Sequence, residues 1–236
     1  MSGYQIFHGG PSQPDGRKEK ELRVYDLLDE LGISYDRIDH EEMNTIEACH
    51  GVDEALGIHI CKNLFLCNRQ QTQYYLLLLP GEKKFRTKDL SAQIGSARLS
   101  FAGAEAMERF LNITPGSVSV MGLMNDRQQR VQLLIDRDLL KEEWFGCHPC
   151  MNTSSIRMKL GDMLEIFFPA VKHEAIYVNL PDETKMTEVE AGGRESSGNE
   201  IGPETETEEK DYGADIGKAG SDHQMSGGKR NFDQQL

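Results

Sequence analysis

The sequence is short of what several protein classes require. Its longest apolar run, Tyr74 to Leu79, is far too short to span a bilayer, so no membrane partner is expected. The opening stretch MSGYQIFHGGPSQPDG contains no apolar h-region, so no secretory signal is expected. Five cysteines in 236 residues do not make a disulfide scaffold, and without a signal they read as reduced thiols of a cytoplasmic protein. Positive charge is scarce as well: 26 Lys and Arg stand against 39 Asp and Glu, a net of −13. This balance excludes a strongly basic DNA binder, although it leaves room for a local basic patch.

The acidity is uneven. Residues 181–236 hold 14 acidic and 6 basic side chains, a net of −8, with 11 apolar residues and 9 glycines. Low hydrophobicity and net charge cannot offset the entropy of ordering, so this tail is expected to be disordered. Residues 1–14, with Gly9, Gly10, Pro11 and Pro14, read as a flexible lead. Residues 15–180 carry nearly all the core-forming side chains, carry a net charge of −5, and fit one domain.

Within that domain, Leu22, Tyr25, Leu28 and Leu31 recur with helical spacing; Asp15 is placed to cap the helix and Gly32 to end it. A polar strand is expected over 33–39, and a second helix from a Thr45 cap to Leu56. The runs KNLFLC (62–67) and QYYLLLL (73–79), separated by a polar loop, predict a hairpin. Its second strand is apolar on both faces and should be central. Helices follow over 87–94, with Thr87 as cap, and over 104–111; strands are expected over 98–101, 130–136, 154–158 and 174–180, and a helix from Gly161 to Phe168. Residues 117–123 read as extended or looped, and 144–152 as containing a loop. Helices and strands are intermixed without regular alternation. That predicts an α+β domain with a curled mixed β-sheet flanked by helices, rather than a doubly wound parallel one.

Four clusters could carry chemistry. In Gly146-Cys147-His148-Pro149-Cys150, the C-x-x-C spacing allows a redox pair, although a strand rather than a helix is expected to follow. The same thiols and His148 offer soft metal ligands, but no second ligand pair is in view, and Cys49, His50 and His59 are isolated. Alternatively the stretch is a loop that presents an imidazole and, through Asn152, Thr153 and Ser154, several hydrogen-bond donors to a small ligand; an incidental surface loop is the plainest reading. Lys62 opens a strand, so its stem is partly buried and its head free for a phosphate or an ester carbonyl. Gly116-Ser117-Val118-Ser119-Val120-Met121-Gly122 suggests a loop with accessible backbone N–H groups. Lys83, Lys84, Arg86 and Lys88 make one basic patch, and Arg17, Lys18, Lys20 and Arg23 another.

In this order, Lys62-Asn63-Leu64-Phe65-Leu66, Gly116-Ser117-Val118-Ser119, Gly122-Leu123-Met124-Asn125-Asp126, Gly146-Cys147-His148-Pro149 and Asn152-Thr153 together resemble the YbaK/aminoacyl-tRNA synthetase-associated domain family. Within it they are most similar to the free-standing prolyl-tRNA-editing branch. The resemblance covers about residues 17–180. It implies a single α+β domain that hydrolyses the ester of a mischarged tRNA, most characteristically alanine on the tRNA for proline, with no cofactor and no metal. The family's essential lysine falls on Lys62, its glycine loop on Gly116 to Gly122, its Gly-x-His-Pro motif on Gly146, His148 and Pro149, and its Asn-Thr pair on Asn152 and Thr153. Thr45 occupies the family's His-Pro-x-x-x-Thr region, without the proline. Val120 stands where relatives usually have proline, and Cys150 where they carry a bulky aliphatic residue. Lys62, His148 and Gly146 are therefore expected at the chemistry. The two loops and Thr45 are expected to line the aminoacyl pocket, and Lys83, Lys84, Arg86 and Lys88 to meet the tRNA backbone. The expected partners are the acceptor end of a mischarged tRNA and a prolyl-tRNA synthetase. Two other classes stay open: a non-catalytic tRNA- or synthetase-binding relative, and a thiol-redox protein using Cys147 and Cys150.

Overall fold

The leucine-rich hairpin sets the frame. In the computed structural model, which describes residues 3–14, 16–42 and 46–182, strand β3 (Lys62–Asn68) pairs antiparallel with β4 (Tyr74–Leu79). The Asn68 amide closes their loop, its Oδ1 accepting from the Thr72 and Gln73 N–H groups at 2.9 and 3.2 Å. Leu76 to Leu79 are fully buried. Leu76 and Leu78 join the core on one face of the sheet, and Leu77 and Leu79 the core on the other, because successive side chains of a strand alternate. A strand covered on both sides has no place for a polar alternation, and each such leucine contributes about 1.5–3 kcal/mol of burial.

Earlier strands are β1 (Ile6–His8) and β2 (Tyr35–Asp39); later ones are β5 (Leu99–Phe101), β6 (Val131–Asp136), β7 (Trp144–Cys147), β8 (Ser154–Lys159) and β9 (Ala175–Val178). They form a five-stranded sheet in the order β5-β3-β4-β6-β9, parallel at β4-β6 and β6-β9 and otherwise antiparallel, and a four-stranded antiparallel sheet in the order β1-β2-β8-β7. The expected mixed α+β architecture is present, with its strands divided between two ladders. The ladders are joined where the Cys61 N–H donates to the Gly146 carbonyl at 3.2 Å. The lead changes, and the loop expected within 144–152 is narrowed. Ile6–His8 is no flexible lead but an edge strand on β2, too short to show an alternation. Trp144–Cys147 is a strand, and its loop begins only after Cys147.

Four helices cover the sheets: α1 (Glu19–Glu30), α2 (Ile46–Leu56), α3 (Thr87–Ile94) and α4 (Ala104–Leu111). Helix α1 buries Val24, Tyr25 and Leu28 and stops at Gly32, whose φ of 68° a side chain would resist. The cap of α3 is Arg86, so Thr87 is its first helical residue. The expected Asp15 cap, and all of the expected 181–236 tail beyond residue 182, lie outside the described residues. Residues 120–125, in a stretch expected to be extended or looped, form a 3₁₀ turn. The last helical run, Leu160–Asp162, Met163–Phe167 and Phe168–Ala170, is π-helical in its middle stretch.

Candidate functional site

Three consecutive residues at the start of β3 reach three separate parts of the chain. Cys61 joins β7 through its N–H and through its thiol, which donates to the Gly146 carbonyl at 3.3 Å. The Lys62 ammonium donates to the Lys83 carbonyl at 3.0 Å, in the turn that follows β4. The Asn63 amide donates to the Cys61 carbonyl at 3.0 Å, and its Oδ1 accepts from the Val120 N–H at 2.8 Å. Ser119 completes the link, its hydroxyl donating to the His148 carbonyl. Lys62, the 116–122 loop and the 146–153 loop, widely separated in sequence, are thereby held to one another.

Lys62 is half-buried and makes no ion pair among the described residues. Burial pushes its amine below the usual lysine range, Lys84 adds to the fall and Glu82 opposes it. Among the described residues no carboxylate is bonded to the positive charge held there.

The 116–122 loop is more committed than its composition suggests. Val120, Met121 and Gly122 are core residues, and a Cβ on Gly122 would lie 2.5 Å from Ile113 Cδ1 and 2.9 Å from Leu111 Cβ. Four of its N–H groups are engaged internally: Ser117 with Thr114, Val120 with Asn63, Met121 with the Ser119 hydroxyl, and Gly122 with the Ser119 carbonyl. Val120, Met121 and Gly122 therefore anchor the loop rather than line a pocket. Gly116, at φ 85°, makes its turn. Val118 and Ser119 keep N–H groups without a hydrogen bond among the described residues. Gly146 is likewise a packing glycine: a Cβ there would collide with Ile58 Cδ1.

A second network fixes His148. Its Nδ1 lies 2.9 Å from the Ser154 carbonyl, which can only accept, so that nitrogen carries the proton and the neutral ring offers Nε2 as an acceptor. Ser155 Oγ lies 3.3 Å from the same Nδ1 and 2.9 Å from His40 Nε2. His40 Nδ1 donates to the Glu41 carbonyl at 2.8 Å, so the Ser155 hydroxyl donates to His40 Nε2. The two rings meet edge to face with centroids 5.9 Å apart. Burial lowers both imidazoles below the ordinary histidine value, and His40 lowers His148 further. Beneath them the start of β8 is fixed by the Ser154 hydroxyl, which donates to the Ile38 carbonyl at 3.2 Å and meets the Tyr25 hydroxyl at 3.0 Å. Asn152 and Thr153 bind the adjoining segment: the Asn152 amide donates to Glu42 at 3.2 Å and the Thr153 carbonyl accepts from the His40 N–H at 3.0 Å. Pro149 is buried beside them, and Thr45 lies outside the described residues.

Other expectations separate here. Lys83 is no surface charge: it is 4% exposed, and its ammonium lies between Asp136 at 2.9 Å and Asp138 at 2.6 Å. Lys84, Arg86 and Lys88 are exposed, with Arg86 Nε donating to Asp89 at 3.0 Å. Arg17 of the other patch is bound to Glu21 and Asp39. Cys147 and Cys150 are fully buried free thiols; burial pushes Cys150 up to about 12 and Cys147 well above its usual value, so neither is poised as a redox thiolate. Among the described residues no group of three or more His, Cys, Asp or Glu is placed to hold a metal ion, and no helix is long and apolar enough to cross a membrane. Three clefts elsewhere, of about 900, 570 and 460 Å³, contain neither Lys62 nor His148.

Sequence reasoning did not single out Asn63, His40 or Ser155 as site residues. Asn63 left a trace, since asparagine is disfavoured inside a strand. The His40–Ser155 contact across 115 residues left none, because only the β2-β8 register creates it.

Comparison with known proteins places the chain among the tRNA-editing hydrolases. Residues 40–166, more than half of the chain, match the family described as the aminoacyl-tRNA editing domain, and the chain belongs to that family. It is an enzyme of the deacylase type. It is 34% identical over 139 residues to the prolyl-tRNA editing protein ProX of Acetoanaerobium sticklandii, covering 59% of this chain and 85% of that protein. It is 30% identical over 168 residues to prolyl-tRNA synthetase associated domain-containing protein 1 of Mus musculus, covering 69% and 95%. A crystal structure of a candidate trans-editing enzyme for prolyl tRNA synthetase superimposes with a TM-score of 0.53 over 69% of this chain and 97% of that one; at 16% identity this shows the shared fold alone.

Proposed function

We propose that this protein acts in trans on tRNA for proline that a prolyl-tRNA synthetase has charged with alanine, and hydrolyses the aminoacyl ester. The observation that best supports this is the Cys61-Lys62-Asn63 junction, which gathers an unneutralised ammonium, a loop with unengaged N–H groups and a neutral histidine. The similarity to the ProX editing protein supports the choice of tRNA.

An aminoacyl ester is already reactive, so positioning it and a water supplies much of the acceleration. Lys62 holds the terminal adenosine phosphate or the ester oxygen. Water adds to the carbonyl carbon, and the developing oxyanion takes hydrogen bonds from the Val118 and Ser119 N–H groups. The C–O bond to the ribose then breaks, and the proton from water passes to the ribose oxygen, assisted by the neighbouring ribose hydroxyl. His148, with Nε2 as acceptor, holds the aminoacyl group. Discrimination is steric, with proline too bulky for a pocket that admits alanine; missing methylenes alone would give weak selectivity.

The test is release of labelled amino acid from tRNA for proline charged with alanine, serine, cysteine or proline. Alanine should leave fastest and proline slowest, and Lys62→Ala should slow alanine release by about 10²–10³-fold. Equal slow release by wild type and Lys62→Ala would overturn the proposal.

A further inference from the structure

Lys83 does not face solvent, yet its backbone holds the one side chain that the proposed chemistry most depends on. Lys62 is paired with Leu79 at the end of the β3-β4 ladder, so its side chain lies directly over the turn made by residues 80–83. That turn is closed by the Lys83 N–H donating to the Pro80 carbonyl at 3.1 Å. It presses so closely on the chain before β3 that a Cβ on Gly81 would collide with the Ile60 carbonyl. At its end the backbone and side chain of Lys83 diverge. The carbonyl accepts from the Lys62 ammonium at 3.0 Å, while the ammonium of Lys83 runs to the end of β6.

The receiving carboxylates are arranged for one cation. The Asp136 side chain is completely buried, and its Oδ1 accepts both from Lys83 at 2.9 Å and from the Asp138 N–H at 2.8 Å. Asp138 adds a contact of 2.6 Å to Lys83 and is itself tied to Lys141 at 2.6 Å. Because β4 and β6 are parallel neighbours, with Leu78 beside Ile135, the turn after β4 and the end of β6 emerge side by side. A buried ion pair adds little stability over apolar packing of the same volume, so stability alone does not account for placing one here. A phosphate cannot compete for a cation that is already desolvated and bound by two carboxylates.

We propose that Lys83 is a positioning residue for Lys62: its clasp with Asp136 and Asp138 locks the turn whose carbonyl fixes the Lys62 ammonium at the site. This rests on the role given to Lys62 under the proposed function. The groups that face Lys62 are Lys83 through its carbonyl, with Lys84 and Glu82 acting through charge.

The test uses Lys83→Met in the full chain, and the paired variant K83M/D136L, which removes both buried charges and so avoids leaving Asp136 unpaired. Two quantities are read: kcat/KM for alanine release, and the pH at which the Lys62 amine is half-labelled by trace acetic anhydride, located by peptide mass. In folded protein kcat/KM should fall about 100-fold, the loss expected for a small misplacement of a positioning group. The half-labelling pH of Lys62 should rise as its head group is rehydrated. A paired variant that melts like wild type, keeps wild-type kcat/KM and leaves Lys62 labelling unshifted would overturn the inference. If Lys62→Ala is itself as active as wild type, the proposed function fails instead, and the labelling shift alone then decides whether the clasp positions Lys62.

Discussion

Lys62 and Lys83 stand at the two sides of one turn and meet opposite fates. Lys62 is half-buried against a carbonyl and lies below the usual lysine range. Lys83 is buried more deeply, yet Asp136 and Asp138 raise it above that range. Depth of burial does not decide which lysine can serve an anionic substrate; the presence of a bonded carboxylate does. Under the proposed function Lys62 is the member whose charge serves the substrate, and the largest effect should follow from its removal. Lys62→Ala should slow deacylation by about 10²–10³-fold, the range for deleting one electrostatic donor, with a melting temperature close to wild type. Lys62→Arg should not restore the rate, because the planar fork cannot replace a compact ammonium.

Lys83 should answer in stability. Asp136→Ala leaves its ammonium buried beside one remaining carboxylate, and breaking a buried pair in this way costs about 3–5 kcal/mol. The urea midpoint should fall accordingly, and a variant as stable as wild type would show that the clasp is not closed in solution. The pH dependence has a definite sign. The Asp138 carboxyl is held at about 2, first by Lys141 and then by Lys83. Its stabilisation is complete above the unfolded value of about 4 and is lost as pH falls through about 2. Lys83 is raised, so its part is complete below the unfolded value of about 10.4 and is lost as pH rises through its folded value. The clasp is therefore constant across the neutral range.

The histidine pair behaves differently there. His148 and His40 both lie below the ordinary value, so the unfolded chain binds protons first and stability falls as pH drops below about 6.5. Deacylation should follow the same limb, because a protonated His148 loses its Nε2 acceptor. His40→Gln removes a neighbour that lowers His148, so the acid midpoint of the rate should move to higher pH. An unmoved midpoint would separate His148 from His40. Gly122→Ala tests the loop on the same side of the site. It forces a Cβ against Ile113 and Leu111, at a cost of about 1–3 kcal/mol measured as a shift in denaturation midpoint.

The sequence disclosed the parts whose physics is local. The Leu76–Leu79 run showed a central strand because nothing polar interrupts it, and the apolar spacing of Ala104, Met107 and Phe110 showed α4 to the residue. Lys62 showed itself by opening an apolar strand. The basic letters 83–88 did not show that their first member turns inward, because its carboxylates lie 53 and 55 residues further on and only the parallel β4-β6 pairing brings them near. The glycine and serine of 116–122 suggested open N–H groups, but Asn63 and Ser119 engage several of them, and no periodicity reports a side chain that caps a distant turn. Cys147 and Cys150 had redox spacing, yet their burial is a property of the assembled core.

The smallest predicted effect is the sharpest test of the contrast between neighbouring lysines. Lys84 is exposed and close enough to Lys62 to lower its amine, so under the proposed function it adds to the field that a tRNA end would meet. Lys84→Ala should weaken tRNA binding modestly and reduce the slope of log K against log salt by about one, the contribution of one phosphate contact. Lys83 sits one residue earlier in the chain, but two carboxylates already neutralise it. Lys83→Met should therefore leave that slope unchanged even where it lowers the rate. Titrating tRNA binding against salt for both variants distinguishes a charge presented to RNA from a charge that holds the protein's own turn. Equal slopes for the two would mean that RNA senses Lys83 through the clasp after all.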